Sequence, residues 1–270
     1  MEGKELTLRE IQLGSLEVLK KIKEICEKEN IKYFLGYGTL LGAVRHQGFI
    51  PWDDDIDIMM PREDYEKFIE YCIKNEKKLG YFSLKHYRTC KEYIYPIARF
   101  CDTRYRVEYK NTKEYGLGLF VDIYPIDGIN LKNKNYLRTL RFQQFLILLA
   151  GNKKYIKSSS IIKTILKYPL FYISQYLNLN DLLKKIDKKS QKYKFMNSEY
   201  AECTVWGMKY YKILKKEYLK LKLEKFENEY FYIPENYDVF LKEYYGNYMK
   251  LPPLEKQIPH HFYKVYKTRY

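Results

Sequence analysis

The sequence has no long apolar run. Its best stretch, Phe145 to Ala150, is far shorter than the roughly 18–20 residues a membrane-spanning helix needs, so no span is predicted. Cysteine is sparse, with five in 270 residues (Cys26, Cys72, Cys90, Cys101 and Cys203). They are scattered, odd in number and never spaced as Cys-x-x-Cys, which argues against a zinc ribbon or a disulfide framework and predicts reduced thiols. The first thirty residues read as a charged amphipathic helix without the apolar segment of an export signal, so a cytoplasmic chain is expected. Internal repeats are absent. Acidic residues are the minority: 34 Asp and Glu face 49 Lys and Arg, a net charge of +15 that reads as spread along the chain. Such a surface concentrates nucleotides, polyanionic glycans, acidic headgroups or nucleic acid without selecting among them. Tyrosine, by contrast, is abundant, at 31 copies.

Periodicity divides the chain. Apolar residues at helical spacing predict a helix over Leu6–Lys28, then a short strand over Ile31–Leu35. Gly36–Thr39 reads as a turn, followed by a short helix over Leu40–Arg45 that Gly48 would terminate. From Asp54 the pattern alternates as a strand until Pro61. A helix over Arg62–Asn75 follows, with Tyr65, Phe68, Ile69 and Cys72 on one face, and strands are predicted over Tyr81–His86, Tyr93–Cys101 and Leu117–Tyr124. This is α/β in character, with mixed strands of modest length. Beyond Tyr136 the chain reads as helical, with apolar helices over Tyr136–Ala150 and Ile161–Leu179 and a shorter one over Pro234–Tyr245. Residues 1–130 are therefore expected to form a catalytic core, and 131–270 a mostly helical portion packed on it. Lys153, Lys154, Lys157, Lys163 and Lys167 decorate the helix pair. Beside exposed aromatic and aliphatic groups they suit either an interfacial membrane patch or ordinary packing over a sheet.

The chemistry concentrates between Tyr33 and Met60. On a strand, Asp55 and Asp57 project from one face while Ile56 and Ile58 face the other. Two carboxylates aimed together repel unless protonated or bridged by a cation, and carboxylate oxygens suit Mg²⁺ or Mn²⁺. Upstream, the glycine at Gly38, the Thr39 hydroxyl and the following helix N-terminus offer a phosphate cradle, with Arg45 and His46 one turn on. Asp53-x-Asp55-x-Asp57 also begins like an EF-hand loop. That reading fails, because its sixth and twelfth positions would be Ile58 and Asp64 rather than Gly and Glu.

Gly38, Thr39, Asp55 and Asp57 resemble the signature of nucleotidyltransferases of the polymerase β type. The fuller segment from Gly36 to Ile58 resembles the LicD/fukutin-type phosphotransferase branch, as do Tyr95–Arg104, Gly118–Gly128 and Pro234–Pro253. Thr39 stands where Ser is commoner. The long gap between Thr39 and Asp55 fits an extra loop, Gly48–Trp52, of this branch. The resemblance implies an α+β, polymerase β-like core with a small mixed sheet and added helices in the C-terminal half. It also implies transfer of a phospho-alcohol, phosphocholine foremost, from a CDP-linked donor to a hydroxyl of a cell-surface glycan or its lipid-linked precursor. CMP would be released, at the inner face of the membrane. An NTP-dependent nucleotidyltransferase on the same fold is the alternative, and nucleic acid is not the expected partner. A third carboxylate is implied on a neighbouring strand, as a metal ligand or as a base for the acceptor hydroxyl. Asp122 is favoured over Asp127 and Asp102, with Arg99 as a donor-phosphate partner. Trp206, Tyr244, Tyr245 and Tyr248 could wall a trimethylammonium group or simply pack. His260 and His261 have no spacing partner for a metal.

Overall fold

The computed structural model describes residues 4–156, 161–207, 209–259 and 263–268. Helix α1 (Leu8–Lys28) opens on a capping box: the Thr7 hydroxyl accepts from the Glu10 backbone N–H, and the Glu10 carboxylate accepts from that of Thr7 at 2.7 Å. Its apolar stripe, including Leu16, Leu19, Ile22 and Ile25, is buried. At Gly14 the helix comes so close to the sheet that a Cβ would run into Leu119. Strand β1 (Phe34–Leu35) leads into α2 (Tyr37–His46), β2 (Asp57–Pro61) and α3 (Arg62–Lys74). The buried residues of α3 include Tyr65, Phe68, Ile69 and Cys72, the face its periodicity predicts.

Four strands follow: β3 (Phe82–Lys85), β4 (Ala98–Asp102), β5 (Tyr105–Tyr109) and β6 (Leu119–Ile129). The main sheet runs β1-β2-β6-β4-β3. Only β2 and β6 pair in parallel within it, so the sheet is mixed and the fold α+β. Strand β6, buried along its whole length, is the spine. Its last residues pair with β7 (Tyr200–Glu202), reached through α4 (Lys134–Gly151), α5 (Ile161–Gln175) and α6 (Leu179–Ser190). A hairpin, β8 (Leu221–Phe226) with β9 (Glu229–Pro234), precedes α7 (Tyr237–Tyr245), and β10 (Tyr263–Lys267) returns to pair with β5.

Several elements depart from the sequence reading. Gly36 is the N-cap of α2, so Gly38 and Thr39 lie inside the first helical turn rather than in a turn before it. The left-handed residue closing α2 is Gln47 (φ 53°), not Gly48. Strand β2 starts at Asp57, which leaves Asp55 in the preceding loop. The predicted helix over Ile161–Leu179 ends at Gln175, and a second helix, which the sequence reading did not single out, starts at Leu179 with Asn178 capping it through the Asp181 N–H. The Lys- and Glu-rich tract after Glu217 is the β8–β9 hairpin. The C-terminal half therefore supplies four strands besides its helices. One apolar core runs through both halves, joining Ile22, Ile58 and Phe68 to Ile213, Phe226 and Phe240.

Candidate functional site

Asp57 is the first residue of β2, and its register partner on parallel β6 is Asp122. Asp55 precedes the strand by two residues. One carboxylate oxygen from each of Asp55, Asp57 and Asp122 lies within 4.8 Å of the other two. The backbone here is tied down on all sides. The Asp57 N–H donates to Thr39 Oγ1 at 2.8 Å, that of Asp122 to the Ile56 carbonyl at 2.9 Å, and that of Gly36 to the Asp57 carbonyl at 2.9 Å. Gln12 Nε2 holds the Asp53 carbonyl at 2.8 Å, and the Tyr263 hydroxyl holds that of Asp54 at 2.6 Å.

The electrostatics suit a cation. Burial, reinforced by Asp55, Asp122 and Asp53, pushes the Asp57 carboxyl well above the usual carboxylate range, and hydrogen bonding from Tyr124 only partly opposes this. Asp57 Oδ1 is buried with no hydrogen-bond partner. An unpaired buried oxygen beside two further carboxylates fits a hard divalent ion bound through oxygen.

The other predicted residues divide by position. Gly38 lines the cleft above the carboxylates, and a Cβ there would stand 2.7 Å from Asp53 Oδ2. Thr39 is buried, and its hydroxyl accepts from Asp57. Arg45 lines the cleft while donating through Nη1 to the Tyr248 carbonyl at 2.6 Å, and through Nε to His46 Nε2 at 3.0 Å. His46 thus stands beside Arg45 and is not among the lining residues. Arg99 is buried behind the site. Its Nε and Nη2 grip both oxygens of Asp122, Nη1 donates to Tyr109 and Tyr115, and the guanidinium is sandwiched between Tyr95 and Phe120 at 4.0 and 4.3 Å. Asp127 is held away by a two-point pair with Arg62, and Asp102 by one with Arg104. The chain thus brings Asp122, and neither of those two, to Asp57.

The cleft has a volume of about 780 Å³. Trp206, Tyr245 and Tyr248 line it, whereas Tyr244 is packed behind Tyr37 and Tyr211. Sequence reasoning did not select Tyr37, Trp52, Tyr124 or Tyr211 for the wall, nor Lys209, Lys250 and Lys256, which also line it. Tyr37, Trp52, Tyr124 and Lys250 carried a signal, lying within the segments Gly36–Ile58, Gly118–Gly128 and Pro234–Pro253 that resemble the family, whereas Tyr211, Lys209 and Lys256 carried none. The segment from Cys203 to Tyr211 is closed by Glu202, whose oxygens accept from the N–H groups of Cys203 at 2.9 Å and Tyr211 at 3.3 Å. Burial pushes the Glu202 carboxyl up to about 8. His260 and His261 lie outside the described residues, as does Lys157. Among the described residues no helix is long and apolar enough to cross a membrane.

A parallel strand pair and the loop before it thus bring three carboxylates together beneath an aromatic cleft, within an α+β fold. Residues 30–146 match the LicD/FKTN/FKRP nucleotidyltransferase domain. The chain is 32% identical over 283 aligned residues to the lipopolysaccharide cholinephosphotransferase LicD of Haemophilus influenzae, covering 97% of this chain and 99% of that one. A 48-residue stretch is 40% identical to the human ribitol 5-phosphate transferase FKRP, covering 18% of this chain and 10% of that one. An uncharacterized protein of Rickettsia typhi is 36% identical over 144 residues, 46% of each chain. The chain belongs to the LicD family and is a transferase of that type.

Proposed function

We propose that the protein moves a phospho-alcohol, phosphocholine foremost, from a CDP-linked donor to a hydroxyl of a cell-surface glycan or its lipid-linked precursor, releasing CMP. The observation that carries this reading is the meeting of Asp55, Asp57 and Asp122 at the foot of a cleft lined by both aromatic rings and cations, in a chain similar end to end to a cholinephosphotransferase.

Asp55, Asp57 and Asp122 would hold Mg²⁺ or Mn²⁺, which supplies charge neutralisation at a transferring phosphoryl group. The residues of the chain do the rest. Arg45 and Lys209 offer charge to the donor phosphates from the cleft wall, and the N-terminus of α2 at Gly38 adds its dipole. Arg99 fixes both oxygens of Asp122 and supplies its counter-charge, which suits a ligand better than a proton acceptor. Asp55, the only one of the three that is not buried, is the better placed to receive the acceptor proton. Trp206, Tyr211 and Tyr245 offer ring faces to a trimethylammonium group, an attraction worth roughly 0.5–2 kcal/mol per favourable ring.

Purified protein with Mn²⁺ should release CMP from one of CDP-choline, CDP-ethanolamine, CDP-glycerol and CDP-ribitol, and CDP-choline is the expected donor. Pyrophosphate release from an NTP, with no CMP from any of the four, would overturn the proposal in favour of nucleotidyl transfer.

A further inference from the structure

Helix α4 turns Tyr136, Leu140 and Ile147 into the core, but α5 does not follow the usual rule that a surface helix turns its apolar side inward. Helix α5 buries Phe171 and Ser174 against α4, and Gln175 Nε2 donates to the Leu149 carbonyl at 3.0 Å. Its other side carries Ile165, Tyr168 and Tyr172, three or four residues apart and therefore one above another, and Tyr176 follows directly after the helix. Ile165 is 65% exposed and Tyr176 91%. Ile173 on α5 and Phe142 and Leu148 on α4 are exposed as well. An exposed apolar stripe such as that of α5 marks a contact, and tyrosine suits one that is apolar on one side and wet on the other.

The charge identifies the partner. Between Gly128 and Asn180 the sequence has nine Lys and Arg and no Asp or Glu, whereas residues 1–127 hold 21 basic and 22 acidic residues. The positive surplus, which reads at first as spread along the chain, is more than half contained in the segment that forms α4 and α5. A second copy of the same basic segment would be repelled, while an anionic bilayer attracts its cations and receives the rings and aliphatic chains at its headgroup level.

We infer that the α4–α5 pair docks the enzyme on an anionic phospholipid surface, with α5 lying in the plane of the interface. The pair is coupled to the cleft, since Gln144 of α4 donates through Nε2 to the Thr204 carbonyl at 2.9 Å and to the Tyr210 hydroxyl at 3.3 Å. These belong to the segment that carries Trp206 and Tyr211 into the cleft wall. An acceptor carried on a lipid would thereby meet the site from the membrane side. That last step rests on the proposed reaction, whereas the docking does not.

Co-sedimentation of the full chain with phosphatidylcholine vesicles, with and without roughly one-third phosphatidylglycerol, tests the docking. Binding to the anionic vesicles should be at least about tenfold stronger than to the neutral ones and should fall as salt is raised. Ile165→Glu and Tyr176→Glu, both at exposed positions, should each weaken it about tenfold while leaving the melting temperature unchanged. Equal binding to both vesicles, no binding, or variants that bind as the wild type would overturn the inference. So would a lipid-free dimer, seen by sedimentation equilibrium, that Ile165→Glu dissociates. A protein that binds vesicles but releases no CMP would sink the reaction and leave the docking standing.

Discussion

Arg99 and Asp122 illustrate how a side chain acts through its partner. The guanidinium fills both carboxylate oxygens from behind and is itself held by two tyrosine hydroxyls and two ring faces. Arg99→Met would leave Asp122 buried beside Asp57 without its counter-charge. Urea unfolding should register a loss of about 3–5 kcal/mol, and Arg99→Lys should recover only part of it, because an ammonium lacks the planar fork. Glu202 makes the residue-scale prediction for pH. Its carboxyl is raised to about 8 in the folded chain, against an ordinary 4.5. Across that window the folded state binds the extra proton, so stability contributed at low pH is lost as pH rises through 8. Glu202→Gln should flatten the pH profile of denaturant unfolding between those limits, by at most about 5 kcal/mol. A variant as pH-sensitive as the wild type would assign that slope to other groups. In the sequence, the Asp55-x-Asp57 alternation is visible because both residues lie in one short segment. Neither the grip of Arg99 on Asp122 nor the acceptor role of Thr39 is, because each depends on a partner that only the folded sheet brings near.

Helix α2 and strand β2 meet at Thr39, and the register between them decides where Asp57 points. The Thr39 hydroxyl accepts from the Asp57 N–H just where the strand begins. Thr39→Val should leave a buried N–H unsatisfied and cost about 1–3 kcal/mol in thermal or urea unfolding, with most of the activity lost as well. Thr39→Ser keeps the hydroxyl and should restore both. If Val behaved like Ser, the contact would be incidental. Helix α3 was legible because thirteen residues with a clear apolar face leave little room for another reading. Strands β5 and β10 were not, since each is five residues long with one buried side chain (Val107 and Val265), and they find each other across most of the chain. The β8–β9 hairpin hid behind Lys and Glu on its open face. Its buried Phe226, Phe231 and Ile233 carry a period-two signal too short to stand out from the charge.

Across the whole molecule, the halves that the sequence suggests at residue 130 share one core and one sheet. Strand β7 extends the pairing of β6, β10 covers β5, and Phe226, Phe240 and Ile213 pack into the same cluster as α1 and α3. A fragment of residues 1–130 should therefore show no cooperative thermal transition, whereas the full chain should. A sharp transition in the fragment would establish an autonomous catalytic domain. The sharing has a functional side, since the carboxylates come from the first half and much of the cleft wall, including Trp206, Tyr211 and Tyr245, from the second.

In the proposed reaction the converging carboxylates are the seat of a metal-dependent phospho-alcohol transfer. Its most direct test is the rate of CMP release from CDP-choline as Mn²⁺ is titrated, for the wild type and Asp57→Asn side by side. The wild type should turn over only when the metal is present. The variant should fall by about a thousandfold or more, with an apo melting temperature no lower than that of the wild type, because the amide removes a buried repelling charge. Turnover that ignores the metal, or an Asp57→Asn enzyme that keeps its rate, would contradict the account.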